Sequence, residues 1–226
     1  MPAPEADIVA ALRGLDSCAV SDALDTLGLS GATTALRQMW PCPGTIAGRV
    51  RTVTAAPKTT AGPTTHIATP LVAVAAPDDV VVIDNHGRID VSCWGGILTE
   101  AAVHAGVAAV IVDGACRDVQ DSATAGLPVF ARTAVPVSAR GRVVQQQMDE
   151  RIQIDGVSVA AFDYVVADVN GVVFVPAVAA ARVVALAQRI AERERAMTEA
   201  VRAGQDITSI MHDSRFPAVT AQEAAP

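Results

Sequence analysis

Apolar positions recur at helical spacing and in short strand-like runs by turns over the first two-thirds of this chain, and strand patterns crowd the rest. Residues 6–14 have helical spacing, and Ser21 is placed to cap a helix ending near Gly28. Residues 45–55 predict a strand with Gly48 at a bulge, and residues 66–76 have helical composition. Residues 80–83 form an apolar run that ends at Asp84, and residues 84–88 predict a loop. Between 97 and 105 there is no Pro or Gly, and an Ala-rich composition predicts a helix. Gly106 stands where a helix C-terminus favours a left-handed residue. The run 108–112 predicts a strand buried on both faces. Further on, strands are predicted at 142–146, 152–154, 157–159, 164–167 and 172–175, with Asp155-Gly156 as a hairpin turn. Pro176 opens a long helix that runs to Ala203 and stops at Gly204.

This alternation predicts an α/β domain built on a mixed sheet. Residues 1–204 are expected to form a single domain, and 205–226 a tail whose end, 218–226, is small and polar enough to be disordered. Of the 226 residues 51% are hydrophobic but only 3% aromatic, so the core must come from Val, Ala, Ile and Leu. No apolar run approaches the ~20 residues of a membrane helix, and the first residues lack the pattern of a secretory signal. Cys18, Cys42, Cys93 and Cys116 are widely spaced, which predicts reduced thiols and a cytoplasmic protein. The net charge of -7 comes without a basic stripe, so neither nucleic acid nor membrane is an expected partner. Residues 189–195 alternate in sign, as a solvated or interfacial helix face does.

Chemistry concentrates between Trp94 and Asp118. Gly95 and Gly96 permit close backbone approach, and the helix that follows offers free N–H groups to an anion. Arg117 can supply a planar fork for a carboxylate. Asp118 adds an oxygen ligand for a hard divalent cation. The plain alternative is a surface ion pair beside an ordinary glycine turn. Cys93 and Cys116 flank this region and read as small buried hydrophobes more readily than as reactive thiols. His66 and His104 fall in apolar helical patterns, where packing histidines are expected. His86 lies in the loop and His212 near the tail. There is no Walker loop and no dinucleotide fingerprint.

Gly95-Gly96-Ile97-Leu98, Gly106-Val107, the strand ending at Asp113-Gly114, Arg117-Asp118 and Leu127-Pro128-Val129-Phe130 together resemble the RraA-like family. Ser21 to Leu24 and the stretch from Val165 to Val173 agree, so the resemblance spans about residues 16–204. The family contains 4-hydroxy-4-methyl-2-oxoglutarate aldolases, which also decarboxylate oxaloacetate, and regulators of ribonuclease E. It implies an α-β-β-α sandwich assembled as homotrimers or homohexamers. It also implies a divalent-metal lyase acting on a pyruvate-bearing 2-oxo acid such as 4-hydroxy-4-methyl-2-oxoglutarate. The backbone of Gly95, Gly96, Ile97 and Leu98 would hold the pyruvyl carboxylate. Arg117 would bind substrate and stabilise the enolate, and Asp118 would hold Mg2+ or Mn2+.

The chain departs from this pattern at Gly96, where characterised aldolases carry Asp. Glu100, one helical turn on, could substitute or could simply favour the helix dipole; Asp90 is a weaker candidate. A family Glu that reaches a neighbouring subunit's site matches Glu194 best, with Glu192 and Glu199 as alternatives. Two further readings stay open at this point: a non-catalytic regulator that binds a ribonuclease or another protein, and a related lyase with a different substrate.

Overall fold

The computed structural model describes residues 5–212, 219, 220 and 222. Its elements in chain order are α1 (Glu5–Arg13), α2 (Ser17–Thr26), β1 (Arg37–Gln38), β2 (Ile46–Pro57), α3 (Thr69–Val72), β3 (Asp79–Ser92), α4 (Gly96–Ala105), β4 (Ala109–Cys116) and α5 (Val119–Ala125). Then follow β5 (Val129–Ala134), β6 (Val143–Met148), β7 (Ile152–Ile154), β8 (Val157–Val159), β9 (Tyr164–Asp168), β10 (Gly171–Val175), α6 (Ala180–Arg202) and α7 (Ile207–His212). Eight strands form one mixed sheet in the order β1-β5-β4-β3-β2-β9-β10, with β6 paired to β2 as well. β2, β3, β4 and β5 run parallel; β6 and β9 pair antiparallel with β2, β10 antiparallel with β9, and β1 antiparallel with β5. β7 and β8 make a separate hairpin.

Strand alternation sorts the side chains into layers. Val80 and Val82 of β3 face one side, with Ile111, Phe130, Val165, Phe174 and the β7–β8 hairpin. Val81 and Ile83 face the other, with Leu71 of α3 and Leu98 and Ala102 of α4. At the far end of the sheet Val166 and Val175 pack under α1, α2 and α6. The sheet therefore folds over an interior β-on-β layer with helices outside both halves, the expected α-β-β-α sandwich. Among the described residues no helix is long and apolar enough to cross a membrane.

Several local expectations change. Helix α2 is capped by Asp16, whose carboxylate accepts from Ala19 N at 2.8 Å, and Ser21 lies inside the helix. Asp satisfies an orphan N–H there, worth about 1 kcal/mol. The helix expected at 66–76 shrinks to Thr69–Val72, because Pro70 restricts its start and Pro77 closes the segment beyond it. Gly48 keeps regular register with Val165. It is needed instead because a Cβ would collide with Asp78 O and Val80; the irregularity in β2 falls between Thr54 and Ala55. Residues 84–88 lie within β3, where His86 (φ 54°) and Gly87 (φ 68°) turn the chain out. Pairing to β4 resumes at Arg88 and Ser92. A 3-10 turn, Ala177–Ala179, separates Pro176 from α6. Part of the expected tail is helical: Ile210 of α7 is buried against Met197 and Ala200. The expected disordered end, 218–226, lies largely outside the described residues, although Val219 packs against the α1–α2–α6 layer.

One buried network holds the β7–β8 hairpin to the sheet. Arg132 on β5 donates to Asp113 at 2.5 Å and to Asp155 at 2.8 Å, and Asp155 N donates to Asp113 at 2.8 Å. The other oxygen of Asp155 accepts from Thr34 N and Ala35 N at 2.7 and 2.9 Å. Burial pushes the Asp155 carboxyl up, but those two N–H groups and the Arg132 guanidinium outweigh it and hold the group below its ordinary range.

Candidate active site

The glycine pair and the Arg-Asp pair meet because the ends of β3 and β4 stay paired beyond the regular ladder. Cys93 N donates to Ala115 O at 2.9 Å, and Arg117 N donates to Trp94 O at 3.0 Å. That contact sets Gly95-Gly96 directly against Arg117-Asp118. Gly95 is extended (φ -166°) and caps α4 without a side chain. The Asp118 carboxylate supplies what is missing: Oδ2 accepts from Gly96 N at 2.9 Å and stands 3.3 Å from Arg117 Nε. Asp118 itself is left-handed (φ 54°) and starts α5, a conformation Asp tolerates better than most residues.

Behind this corner a buried chain of hydrogen bonds ties α4 to α5. Trp94 Nε1 donates to Thr99 Oγ1 at 3.0 Å, and Thr99 Oγ1 is 3.0 Å from Ser122 Oγ. Trp94, Thr99 and Ser122 are all buried. The fixed rotamers and paired polar atoms of this chain make the glycine corner rigid. Ile97 and Leu98 follow on α4, and among the described residues their backbone N–H groups have no acceptor.

These elements line a cleft of about 320 Å³. Cys93, Trp94 and Leu98 form its apolar floor, Gly95 and Gly96 its edge, and Arg117 and Arg140 its cations. Neither terminal guanidinium nitrogen of Arg117 has a partner among the described residues, and the Arg140 guanidinium has none either. Burial pushes the Cys93 thiol up to about 12 and the Cys116 thiol up to about 11, so both are neutral, as small buried hydrophobes are.

Arg117, Asp118, Gly95, Gly96, Ile97 and Leu98 are thus brought together. Glu100 is exposed on α4, one turn beyond the glycine corner. Like Asp118 and Asp121 it is not among the residues that line the cleft, but unlike them it makes no approach to Gly95 or Gly96. Asp90 is exposed and paired with Arg88 at 2.8 Å. Glu194 lies in a surface groove between α6 and α7. Burial and the nearby Asp22 and Asp16 carboxylates push its pKa up; within one chain it is grouped with α2, away from the cleft. His66, expected to pack, is exposed and lines the cleft; His104 is exposed on α4.

Sequence reasoning missed two residues. One is Arg140, from the segment between β5 and β6. The other is Asp121, in the first turn of α5. A Cβ built on Gly96 would stand 2.5 Å from Asp121 Oδ2, and one built on Gly95 would stand 2.8 Å from Asp118 Oδ2. Two carboxylates therefore close on the two glycines. The signal was available in the spacing, since residues three apart on a helix share a side.

Comparison with known proteins follows the same lines. The family model described as "RraA-like: Aldolase/RraA" matches residues 17–174. Protein DlpA of Legionella pneumophila is 31% identical over 165 residues, 73% of this chain but only 27% of that protein, so the chain spans about a quarter of that relative. A Halalkalibacterium halodurans protein named "Putative 4-hydroxy-4-methyl-2-oxoglutarate aldolase" is 28% identical over 78% of this chain and 80% of its own length. The crystal structure of an uncharacterized protein from Pseudomonas syringae pv. tomato superposes with a TM-score of 0.82 at 28% identity, covering 91% of this chain and 97% of that one. With the match extending from α2 to β10 across both β layers and the glycine corner, this chain belongs to the RraA-like family.

Proposed function

We propose that this chain is a divalent-metal-dependent carbon–carbon lyase acting on a 2-oxo acid that contains a pyruvate unit. The observation that carries this reading is the pair of carboxylates, Asp118 and Asp121, closing on Gly95-Gly96 beside the unpaired end of Arg117. Relatives named as aldolases support the same class of reaction.

The donor set fits Mg2+ or Mn2+. Among the described residues no group of three or more His, Cys, Asp or Glu that could hold a metal is gathered, so this chain would offer the ion at most the two carboxylates Asp118 and Asp121. Two exposed carboxylates, with water and substrate oxygens completing the shell, suit a hard ion that keeps much of its hydration. When bound, the metal would supply Lewis acidity at the 2-oxo oxygen.

The chain's own residues account for the rest. The N–H groups of Ile97 and Leu98, at the positive end of α4, hold the pyruvyl carboxylate together with Arg140. The free end of Arg117 faces the negative charge that develops on the 2-oxo oxygen as the carbon–carbon bond breaks. Asp121, with no ion-pair partner among the described residues, accepts the proton of the 4-hydroxyl in aldol cleavage. Trp94, Leu98 and the neutral Cys93 keep the floor of the cleft dry. Assembly as a homotrimer or homohexamer belongs to the same proposal, because Glu194 could reach a cleft only in a neighbouring copy.

The test is pyruvate release from oxaloacetate and from 4-hydroxy-4-methyl-2-oxoglutarate, with and without chelator. Activity should vanish with chelator and return with Mg2+ or Mn2+. Full turnover in excess chelator would remove the metal mechanism. Metal binding without turnover of either compound would turn the reading towards the regulatory role.

A further inference from the structure

Beside the cationic cleft, α3 and α4 border a second, larger and open cavity of about 530 Å³. The two cavities share His66, Ile97, Leu98 and Arg140 as a common wall. Beyond that wall the lining is mostly aliphatic: Val72 and Ala73 from α3, Ala101 and Ala105 from α4, with Thr69 and His104 as the added polar side chains. Ile97 is 83% exposed although it borders both spaces. A large apolar side chain held open to water between a charged cleft and an aliphatic one is suited to a ligand that spans both.

Resting on the lyase reading above, we propose that the physiological substrate is a 4-hydroxy-2-oxo acid whose C4 substituent is an apolar chain or ring seated in this second cavity. The count of charges supports it. A pyruvyl head presents two anionic centres, its carboxylate and the developing enolate oxygen. Arg117, Arg140 and the N–H groups of α4 match those two. No further Arg or Lys lines the second cavity. A distal carboxylate there would find only Thr69, His66 and His104 as polar neighbours once Arg140 is taken by the pyruvyl head, and would lie against Val72, Ala101 and Ala105, a poorer match than an apolar group. Apolar substituents gain in the same place.

The reaction balances without a further reagent. In the synthetic direction C3 of pyruvate loses a proton, its bond to the aldehyde carbon forms, and the aldehyde oxygen takes up a proton. Cleavage is the reverse, and nothing is oxidised or reduced.

The test uses the full chain with Mg2+ and pyruvate, and measures kcat/KM for acetaldehyde, butanal and hexanal against glyoxylate, an acceptor bearing a carboxylate. Each buried methylene is worth about fourfold in binding, so hexanal should exceed acetaldehyde by at least ~10-fold and also exceed glyoxylate. Ala101→Phe, which fills the cavity from an exposed helix position, should lower kcat/KM for hexanal ~10-fold more than for acetaldehyde. A flat or falling series, with oxaloacetate still decarboxylated, would overturn this substrate class and leave the lyase reading standing. Failure with oxaloacetate as well would mean that the lyase reading itself has failed. If Ala101→Phe changes the molecular mass in solution and depresses all acceptors equally, the cavity is an interface between copies of the chain, and the proposal falls.

Discussion

The Asp121 carboxylate fills the space that a side chain on Gly96 would enter, with Oδ2 only 2.5 Å from the position of the missing Cβ. The glycine and the carboxylate are complementary. Gly96 brings no carboxylate of its own to the glycine corner, and the first turn of α5 delivers one to the space its side chain would occupy. Asp121→Asn should therefore reduce aldol cleavage by ~10²–10⁴-fold, the usual worth of general acid–base help. Oxaloacetate decarboxylation needs no base at a hydroxyl and should fall less. Steady-state kinetics on both substrates checks this; equal losses would point to metal binding alone.

Arg117 presents Nε to Asp118 at 3.3 Å and leaves its terminal nitrogens free for substrate. Lysine keeps the charge but cannot serve both partners with a planar fork. Arg117→Lys should lower kcat on oxaloacetate by about two to three decades, as loss of a transition-state donor does. Near-normal kcat would show that the guanidinium does not handle the reacting oxygen.

A pH-dependent stability term follows from Asp155. Its folded pKa lies below the ordinary carboxylate value. The stabilisation is therefore complete above the unfolded pKa and is lost as pH falls through the folded one. Asp155→Asn should cost roughly 1–3 kcal/mol at pH 7, as for hydrogen bonds to a charged, half-buried group. The gap in Tm between wild type and variant should narrow as the pH is taken from 7 towards 3. A gap that stays constant over that range would mean that Asp155 contributes through shape alone.

Thiol reactivity distinguishes the cysteines. Cys93 and Cys116 are buried with pKa values pushed up to about 12 and about 11, while Cys18 is exposed. Partial burial and the Asp16 and Asp168 carboxylates push the Cys18 thiol up as well. Alkylation by iodoacetamide at pH 7.5, followed by mass spectrometry, should therefore modify Cys18 slowly but ahead of the buried pair. Cys93 and Cys116 should react only after denaturation. Rapid native modification of Cys93 would mean that the cleft floor opens to solvent.

Much of this fold could be read from local signals, because those signals do not depend on distant partners. Gly106 takes φ 79° at the end of α4, and Asp155-Gly156 turns the hairpin with φ 49° and 84°. Arg117 and Asp118 stood out because a strand and a glycine turn lead straight into them. Arg140 and Asp121 did not. Arg140 sits in a segment with no strong periodicity, and it reaches the cleft only because β5 lies beside β4. Asp121 stands three residues after Asp118, a spacing that sets the two on one side of a helix, but a seven-residue helix is too short for hydrophobic periodicity to announce it. The Trp94–Thr99–Ser122 chain is likewise a product of packing: its members are separated in sequence, and only the docking of α4 on α5 brings their polar atoms within 3.0 Å of one another.

The complementarity of Gly96 and Asp121 has a reciprocal consequence. Gly96→Asp alone places a second carboxylate on top of the first. The clash and the like charges should make it worse than wild type, with kcat/KM down ~10-fold or more and weaker Mg2+ binding by calorimetry. Asp121→Ala alone removes the carboxylate and should lose aldol cleavage as Asp121→Asn does. Combined, Gly96→Asp with Asp121→Ala restores one carboxylate to the same space from the other side of the corner. Gly96 has no left-handed φ to forbid a side chain, and the three nearest atoms its Cβ would meet belong to Asp121. The double variant should therefore recover Mg2+ binding and at least ~10-fold of the activity lost in the better single variant. This is the non-additivity expected of residues in direct contact. If instead the two losses simply multiply, the carboxylate at this corner is not interchangeable between α4 and α5, and Asp121 would have to act on something other than the space above Gly96.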